Sequence, residues 1–201
     1  MPLSRQTQRI LPAESPPIKV VDQGFGHVKS SADMGEPEPG DLIESDVILP
    51  NPAATERLAA IVAAEVRPGD AILLSGDLGA GKTHFARAFI NALTSAQEEV
   101  PSPTFTLVQT YDATVKGAPV EIWHFDLYRL KSPDETLELG IEEAFAEGIA
   151  LVEWPDRLGS LKPREHLELR LAITGDGARK ATLVPTAAWR DRVAAITKAS
   201  A

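Results

Sequence analysis

The run Gly76-Asp77-Leu78-Gly79-Ala80-Gly81-Lys82-Thr83 constrains this chain more than any other segment. Two glycines bracket four residues and Lys-Thr follows, which is the Walker A form. Its flanks complete it. Ala71–Ser75 is a short apolar run of the kind that makes a buried strand, and His84–Leu93 carries a helical pattern. A strand, a glycine-rich turn and a helix in that order build a phosphate cradle. The glycines let the backbone bend until successive N–H groups face one concavity, and the helix start adds about half a unit of positive charge. Lys82 is placed to reach the terminal phosphates of a nucleotide, and the Thr83 hydroxyl is an oxygen donor suited to Mg2+.

The remainder of the chain supplies strands and helices to surround that unit. Asn51-Pro52 predicts a helix start, with Asn51 as N-cap and Pro52 at the first helical position. Leu58, Ile61, Val62 and Val66 share one face of this helix, and Pro68-Gly69 ends it. Ser95–Val100 is a polar connection. Thr104–Tyr111 and Val120–Asp126 read as two strands of a hairpin turning at Lys116-Gly117-Ala118-Pro119. Ser132-Pro133-Asp134-Glu135 has the form of a capped helix start, and the helical stretch to Glu147 is punctuated by Gly140 and followed by Gly148. Ile149–Val152 is continuously apolar and predicts a buried central strand ending in Glu153-Trp154-Pro155. A second hairpin, His166–Thr174 and Ala178–Pro185, flanks Gly175-Asp176-Gly177. A last helix runs from about Ala187 to Lys198, with Trp189, Val193 and Ile196 facing inward. The expected fold class is α/β, a three-layer P-loop NTPase domain with a mixed central sheet.

At 201 residues the chain is long enough for one domain with a real core. Residues 1–46 differ from the rest: they hold six prolines, a single aromatic (Phe25) and more acid than base. That composition predicts a flexible extension ahead of a P-loop domain at 47–201. The alternative is a segment docked on the domain through Ile18, Val20, Val21 and Phe25. Absence of cysteine excludes disulfides and thiolate metal sites. The net charge of −9 argues against holding nucleic acid by phosphate neutralisation alone. No apolar run approaches the ~18 residues of a membrane span, and Met1–Pro12 lacks the apolar core of a secretory signal. A cytoplasmic location is expected.

A nucleotide site also needs a carboxylate for Mg2+ and a group to position the attacking water or acceptor. Asp126 and Glu153 both end strands, and in open α/β sheets ligands lie beyond the carboxyl ends of strands. Ser102-Pro103-Thr104-Phe105 is a constrained turn entering a strand, and a hydroxyl held there could sense a terminal phosphate as switch segments do. His84 and His124 are single histidines without metal-ligand spacing and read as structural. His124 alternates with Trp123, so one of the two should face the packed side of the sheet.

Four segments together resemble one family: Gly76 to Thr83, Ser102-Pro103-Thr104-Phe105-Thr106-Leu107-Val108, His124-Phe125-Asp126-Leu127-Tyr128-Arg129-Leu130, and Val152-Glu153-Trp154-Pro155. In order and spacing they look like the TsaE (YjeE) family, over about Leu49 to Val184. The N-terminal extension lies outside the resemblance, the last helix matches loosely, and Phe105 stands where many relatives carry Tyr. The resemblance implies a bacterial P-loop ATPase serving tRNA threonylcarbamoyladenosine synthesis. It would work with the proteins TsaD and TsaB and meet tRNA only through that complex, without transferring the threonylcarbamoyl group itself. ATP and Mg2+ are the implied cofactors. By the same resemblance Asp77, Leu78, Gly79, Ala80, Gly81, Lys82 and Thr83 bind the nucleotide, and Thr83 and Glu153 hold the metal. Lys82, Thr104, Asp126 and Glu153 make the catalytic set. Asn51, Pro52 and Arg179 match places that approach the base or ribose. Asp126 and its neighbours would lie at the catalytic or partner-facing surface. Two other readings share the same cradle: a small-molecule or nucleotide kinase, and a nucleotide-gated binding module with negligible hydrolysis.

Overall fold

A computed structural model describes residues 19–21, 44–94 and 100–200. Among these residues eight strands form one mixed sheet: β1 (Lys19–Val21), β2 (Ser45–Leu49), β3 (Ala71–Ser75), β4 (Val108–Val115), β5 (Ala118–Asp126), β6 (Ile149–Glu153), β7 (Leu167–Ile173) and β8 (Arg179–Pro185). Their spatial order is β1-β2-β8-β7-β3-β6-β5-β4. The centre is parallel, with β3 between β7 and β6, and β6 beside β5; the β4–β5, β7–β8, β2–β8 and β1–β2 pairs are antiparallel. Among the described residues four α-helices accompany them: α1 (Pro52–Glu65), α2 (Lys82–Leu93), α3 (Ile141–Ala146) and α4 (Arg190–Ser200). The architecture is the three-layer α/β fold expected.

The central strands are apolar on both faces because both are covered. One core joins Ile72, Leu74, Ile122, Leu151 and Leu169 to residues of α1, α2 and α4, among them Leu58, Phe85, Phe89 and Ile196. The other joins Leu73, Phe125 and Val152 to Ile141, Ala144 and Leu158. Asn51 caps α1 as anticipated, its Oδ1 accepting from the Ala54 N–H at 3.0 Å. Trp189, Val193 and Ile196 are buried, as expected of the last helix, whose first turn (Ala187–Trp189) is 3-10. Asp70 and Arg192 clamp that helix to the start of β3, with Arg192 Nη2 3.0 Å from Asp70 Oδ1 and its guanidinium 3.5 Å from the Trp189 ring centroid.

Three expectations need correction. The strand expected from Thr104 begins at Val108, four residues later, and runs on to Val115. Pro103–Thr106 instead form a turn. The Leu107 N–H donates to the Pro103 carbonyl at 2.6 Å and Leu107 takes φ 67°, a left-handed conformation that ends the turn before the ladder starts. The hairpin turn is also tighter than expected: Ala118 and Pro119 pair within the ladder, and Lys116 and Gly117, both at positive φ, make the two-residue loop. Finally, the stretch after Ser132 is interrupted at a left-handed Gly140 as expected, but its first part (Pro133–Leu139) is 3-10 rather than α-helical and is followed by the short α3 alone. The Trp123 indole explains why glycine stands on either side of α3. A Cβ on Gly140 would lie 3.0 Å from that ring and one on Gly148 2.7 Å from it, so the ring packs against bare backbone at both places.

The extension drawn to residue 46 and the connection 95–99 lie largely outside the described residues. Within the extension, Lys19–Val21 pair antiparallel with Asp46–Ile48 of β2.

Candidate nucleotide site

The site is assembled at the carboxyl ends of β3, β6 and β5, where a parallel sheet feeds its loops to one edge. The parallel registers align Leu74 with Glu153 and Glu153 with Asp126, so the carboxyl ends of three adjacent strands arrive together. Beyond β3 the chain turns through Gly76–Gly81 into α2, whose N-cap Gly81 has φ 107°. Gly79 and Gly81 need glycine for their backbone angles alone, since a Cβ on either would meet nothing within 4 Å. Both face open space.

Lys82 begins α2 and is 4% exposed. Its Nζ donates to the carbonyls of Gly76 at 2.7 Å and Asp77 at 2.9 Å and sits 3.8 Å from the Trp154 ring centroid. Burial pulls its ammonium below the ordinary lysine value, while the negative charges of Glu153, Asp126 and Asp77 act in the opposite direction. The Thr83 hydroxyl donates to Glu153 Oε2 at 2.9 Å. Asp126, 4% exposed, accepts the Thr104 hydroxyl at 2.7 Å and the Tyr128 N–H at 3.1 Å, and Ser102 Oγ lies 2.7 Å from Thr104 Oγ1. A cavity of about 220 Å³ is lined by Lys82, Thr83, Thr104, Asp126, Glu153 and Trp154, together with loop residues Leu78, Gly79 and Gly81. The side chains singled out for catalysis thus share one hollow with the loop.

A neighbouring cavity of about 350 Å³ joins Asn51, Pro52 and Arg179 to Gly81 and His84. Arg179 reaches back to the loop, Nη2 to the Gly79 carbonyl at 3.4 Å. His84 stands at the surface, Nε2 3.3 Å from Glu56 Oε1 and 3.4 Å from the Pro52 carbonyl. Asp77 and Leu78 are exposed at the loop's tip, and Ala80 is buried beneath it.

Two residues of the site escaped the sequence. His124 is fully buried and its Nε2 lies 2.9 Å from Glu153 Oε1. Trp154 stacks over Lys82 and holds a left-handed backbone, φ 62° and ψ 54°, rare for a bulky residue. Only the β5–β6 register brings His124 to Glu153, and no local pattern encodes it.

The donor set suits a hard divalent cation. A hydroxyl and a carboxylate converge, and among the described residues no group of three or more His, Cys, Asp or Glu could hold a metal alone. Mg2+ fits that arrangement, since it binds through one or two protein oxygens, substrate phosphates and water rather than in an all-protein cage.

Residues 49–181 match the family model described as "Threonylcarbamoyl adenosine biosynthesis protein TsaE". The chain is 40% identical over 138 residues to the tRNA threonylcarbamoyladenosine biosynthesis protein TsaE of Rickettsia felis, covering 69% of this chain and 78% of that one. It is 38% identical over 133 residues to the protein of the same name from Bacillus subtilis, covering 66% and 80%. The crystal structure of YdiB from Bacillus subtilis superposes with a TM-score of 0.61 at 29% identity, covering 77% of this chain and 95% of that one. Among the described residues no helix is long and apolar enough to cross a membrane.

Proposed function

The chain belongs to the TsaE family and so takes part in tRNA threonylcarbamoyladenosine biosynthesis; within that process we propose that it is the ATP-binding and ATP-hydrolysing subunit. In this reading it works in the cytoplasm with TsaD and TsaB, supports turnover of their complex and leaves the transfer of the threonylcarbamoyl group to them. The observation that carries the reading is the meeting of Thr83 and Glu153 at 2.9 Å beside the glycine-rich loop, with Asp126 next in register.

The backbone amides of Gly79 to Thr83 cradle the phosphates, and Lys82 presents its charge to them. Asn51, Pro52 and Arg179 flank the base or ribose in the adjoining cavity. Thr83 and Glu153 would hold Mg2+, and the ion would supply charge neutralisation at the phosphate oxygens. Asp126 orients the attacking water and takes up its proton as the bond to the terminal phosphoryl group breaks, yielding ADP and phosphate. Thr104, bonded to Asp126 at 2.7 Å, ties the 103–106 turn to that acid, so a change at the phosphate position reaches an exposed segment. Phe105 in this turn is 82% exposed and Leu78 on the loop 80% exposed. These are surfaces a partner protein can read.

Hydrolysis couples to a partner only if the two nucleotide states bind it with different affinity. Immobilised full-length chain is therefore expected to retain TsaD at least about tenfold better in one of the two states, ATP or ADP, a difference of about 1.4 kcal/mol. Equal retention with ATP, with ADP and without nucleotide would contradict the coupling.

A further inference from the structure

We propose that His124 is the positioning residue that fixes Glu153 for Mg2+; the inference rests on Glu153 serving the metal as proposed above. The β5–β6 register pairs His124 with Leu151 and Asp126 with Glu153. His124 therefore lies two residues behind Glu153 on the same face of the sheet, and its ring reaches forward along the strands. The imidazole is fully buried and the Glu153 side chain is 3% exposed. An ionised carboxylate only accepts hydrogen bonds, so Nε2 donates to Oε1. The two carboxylate oxygens are thereby divided: Oε1 goes to His124 at 2.9 Å, and Oε2 to Thr83 at 2.9 Å on the side of the cavity.

Among the described residues the His124 side chain makes no other hydrogen bond. Nδ1 is buried and has no partner among the described residues. A buried polar ring with one unmatched nitrogen carries a cost that an apolar side chain would avoid. The polar contact that the ring makes among the described residues is the one that holds Glu153. Without it Oε1 would sit in the sheet interior with no donor, and the carboxylate would be free to turn away from Thr83. Groups that hydrogen-bond a metal's ligands typically govern affinity for that metal by 10–100-fold.

The test is a calorimetric titration of the full chain with a non-hydrolysable ATP analogue over a range of MgCl2 concentrations, for the native protein, His124→Gln, His124→Asn and Glu153→Ala. The glutamine amide can reach Oε1 in place of Nε2, whereas the shorter asparagine cannot, and both keep a polar side chain in the fold. His124→Asn is expected to raise the half-saturating Mg2+ concentration about 10–100-fold and to leave the Mg2+-free affinity for the analogue unchanged. His124→Gln should restore the native Mg2+ dependence. If Glu153→Ala shifts that dependence and His124→Asn does not, His124 has no positioning role and Glu153 keeps its own. If His124→Asn weakens analogue binding equally with and without Mg2+, its role is structural and the proposal fails. If Glu153→Ala leaves the Mg2+ dependence unchanged, the assignment of Glu153 to the metal falls, and this inference with it.

Discussion

Replacing Lys82 with alanine is expected to reduce ATP hydrolysis by a factor of 10² to 10³ or more, roughly the loss seen when one preorganised electrostatic group is removed from a reaction centre. The apo protein should keep its fold. The ammonium is buried, but its partners are two backbone carbonyls, of Gly76 and Asp77, and the face of Trp154, so its removal strands no opposite charge in a bond made to it. Lys82→Arg should not rescue activity. The guanidinium is planar and larger, and the space between the loop and the indole is shaped for a compact ammonium. Phosphate release from purified variants, with and without TsaD and TsaB, measures this, and circular dichroism confirms the fold. Full hydrolysis by Lys82→Ala would remove the loop from the reaction.

Gly76→Ala should be the most destabilising single-methyl change in the loop. Gly76 has φ 136°, and a Cβ there would stand 2.2 Å from the carbonyl oxygen of Leu171 on β7. That atom is backbone within a strand paired on both sides, so it cannot swing away as a side chain would. Relief requires the start of the loop to separate from the sheet. We expect a loss of about 4 kcal/mol or more, out of a total near 5–15 kcal/mol for a domain of this kind. Gly79→Ala provides the control: its φ is also positive, at 80°, but nothing lies within 4 Å of the added carbon. It should cost only the left-handed penalty of about 1–2 kcal/mol. Urea unfolding of both variants separates close approach from backbone conformation, and equal losses would show that the Leu171 contact is unimportant.

What could be read beforehand follows from the range of the interactions involved. The strand–loop–helix unit around Lys82 is local, and so is the cap at Asn51, because the residues that determine each lie within a few positions. Glu153 was legible because a fully apolar strand followed by an acid puts that acid at the edge of a central sheet. The segment after Ser102 misled because Thr, Phe and Val favour strands on average. Pro103, and the hold of Asp126 on Thr104, keep the first four of those residues in a turn instead. The break at Gly140 was legible from the glycine itself, but its close packing against Trp123 of β5 was not. His124 was the largest omission. Its partner is 29 residues away and meets it only through parallel pairing, a relation that neither spacing nor composition carries.

In the proposed function, residues 76–83 grip a triphosphate while Thr83 and Glu153 together hold its metal. Crystals of the full chain grown with Mg2+ and a non-hydrolysable ATP analogue test it most directly. The phosphates are expected against the amides of Gly79 to Thr83 and the cation beside the Thr83 hydroxyl, with Glu153 facing it. Nucleotide bound elsewhere, or a cation with Glu153 turned away from it, would rule out this assignment of the loop and of Glu153.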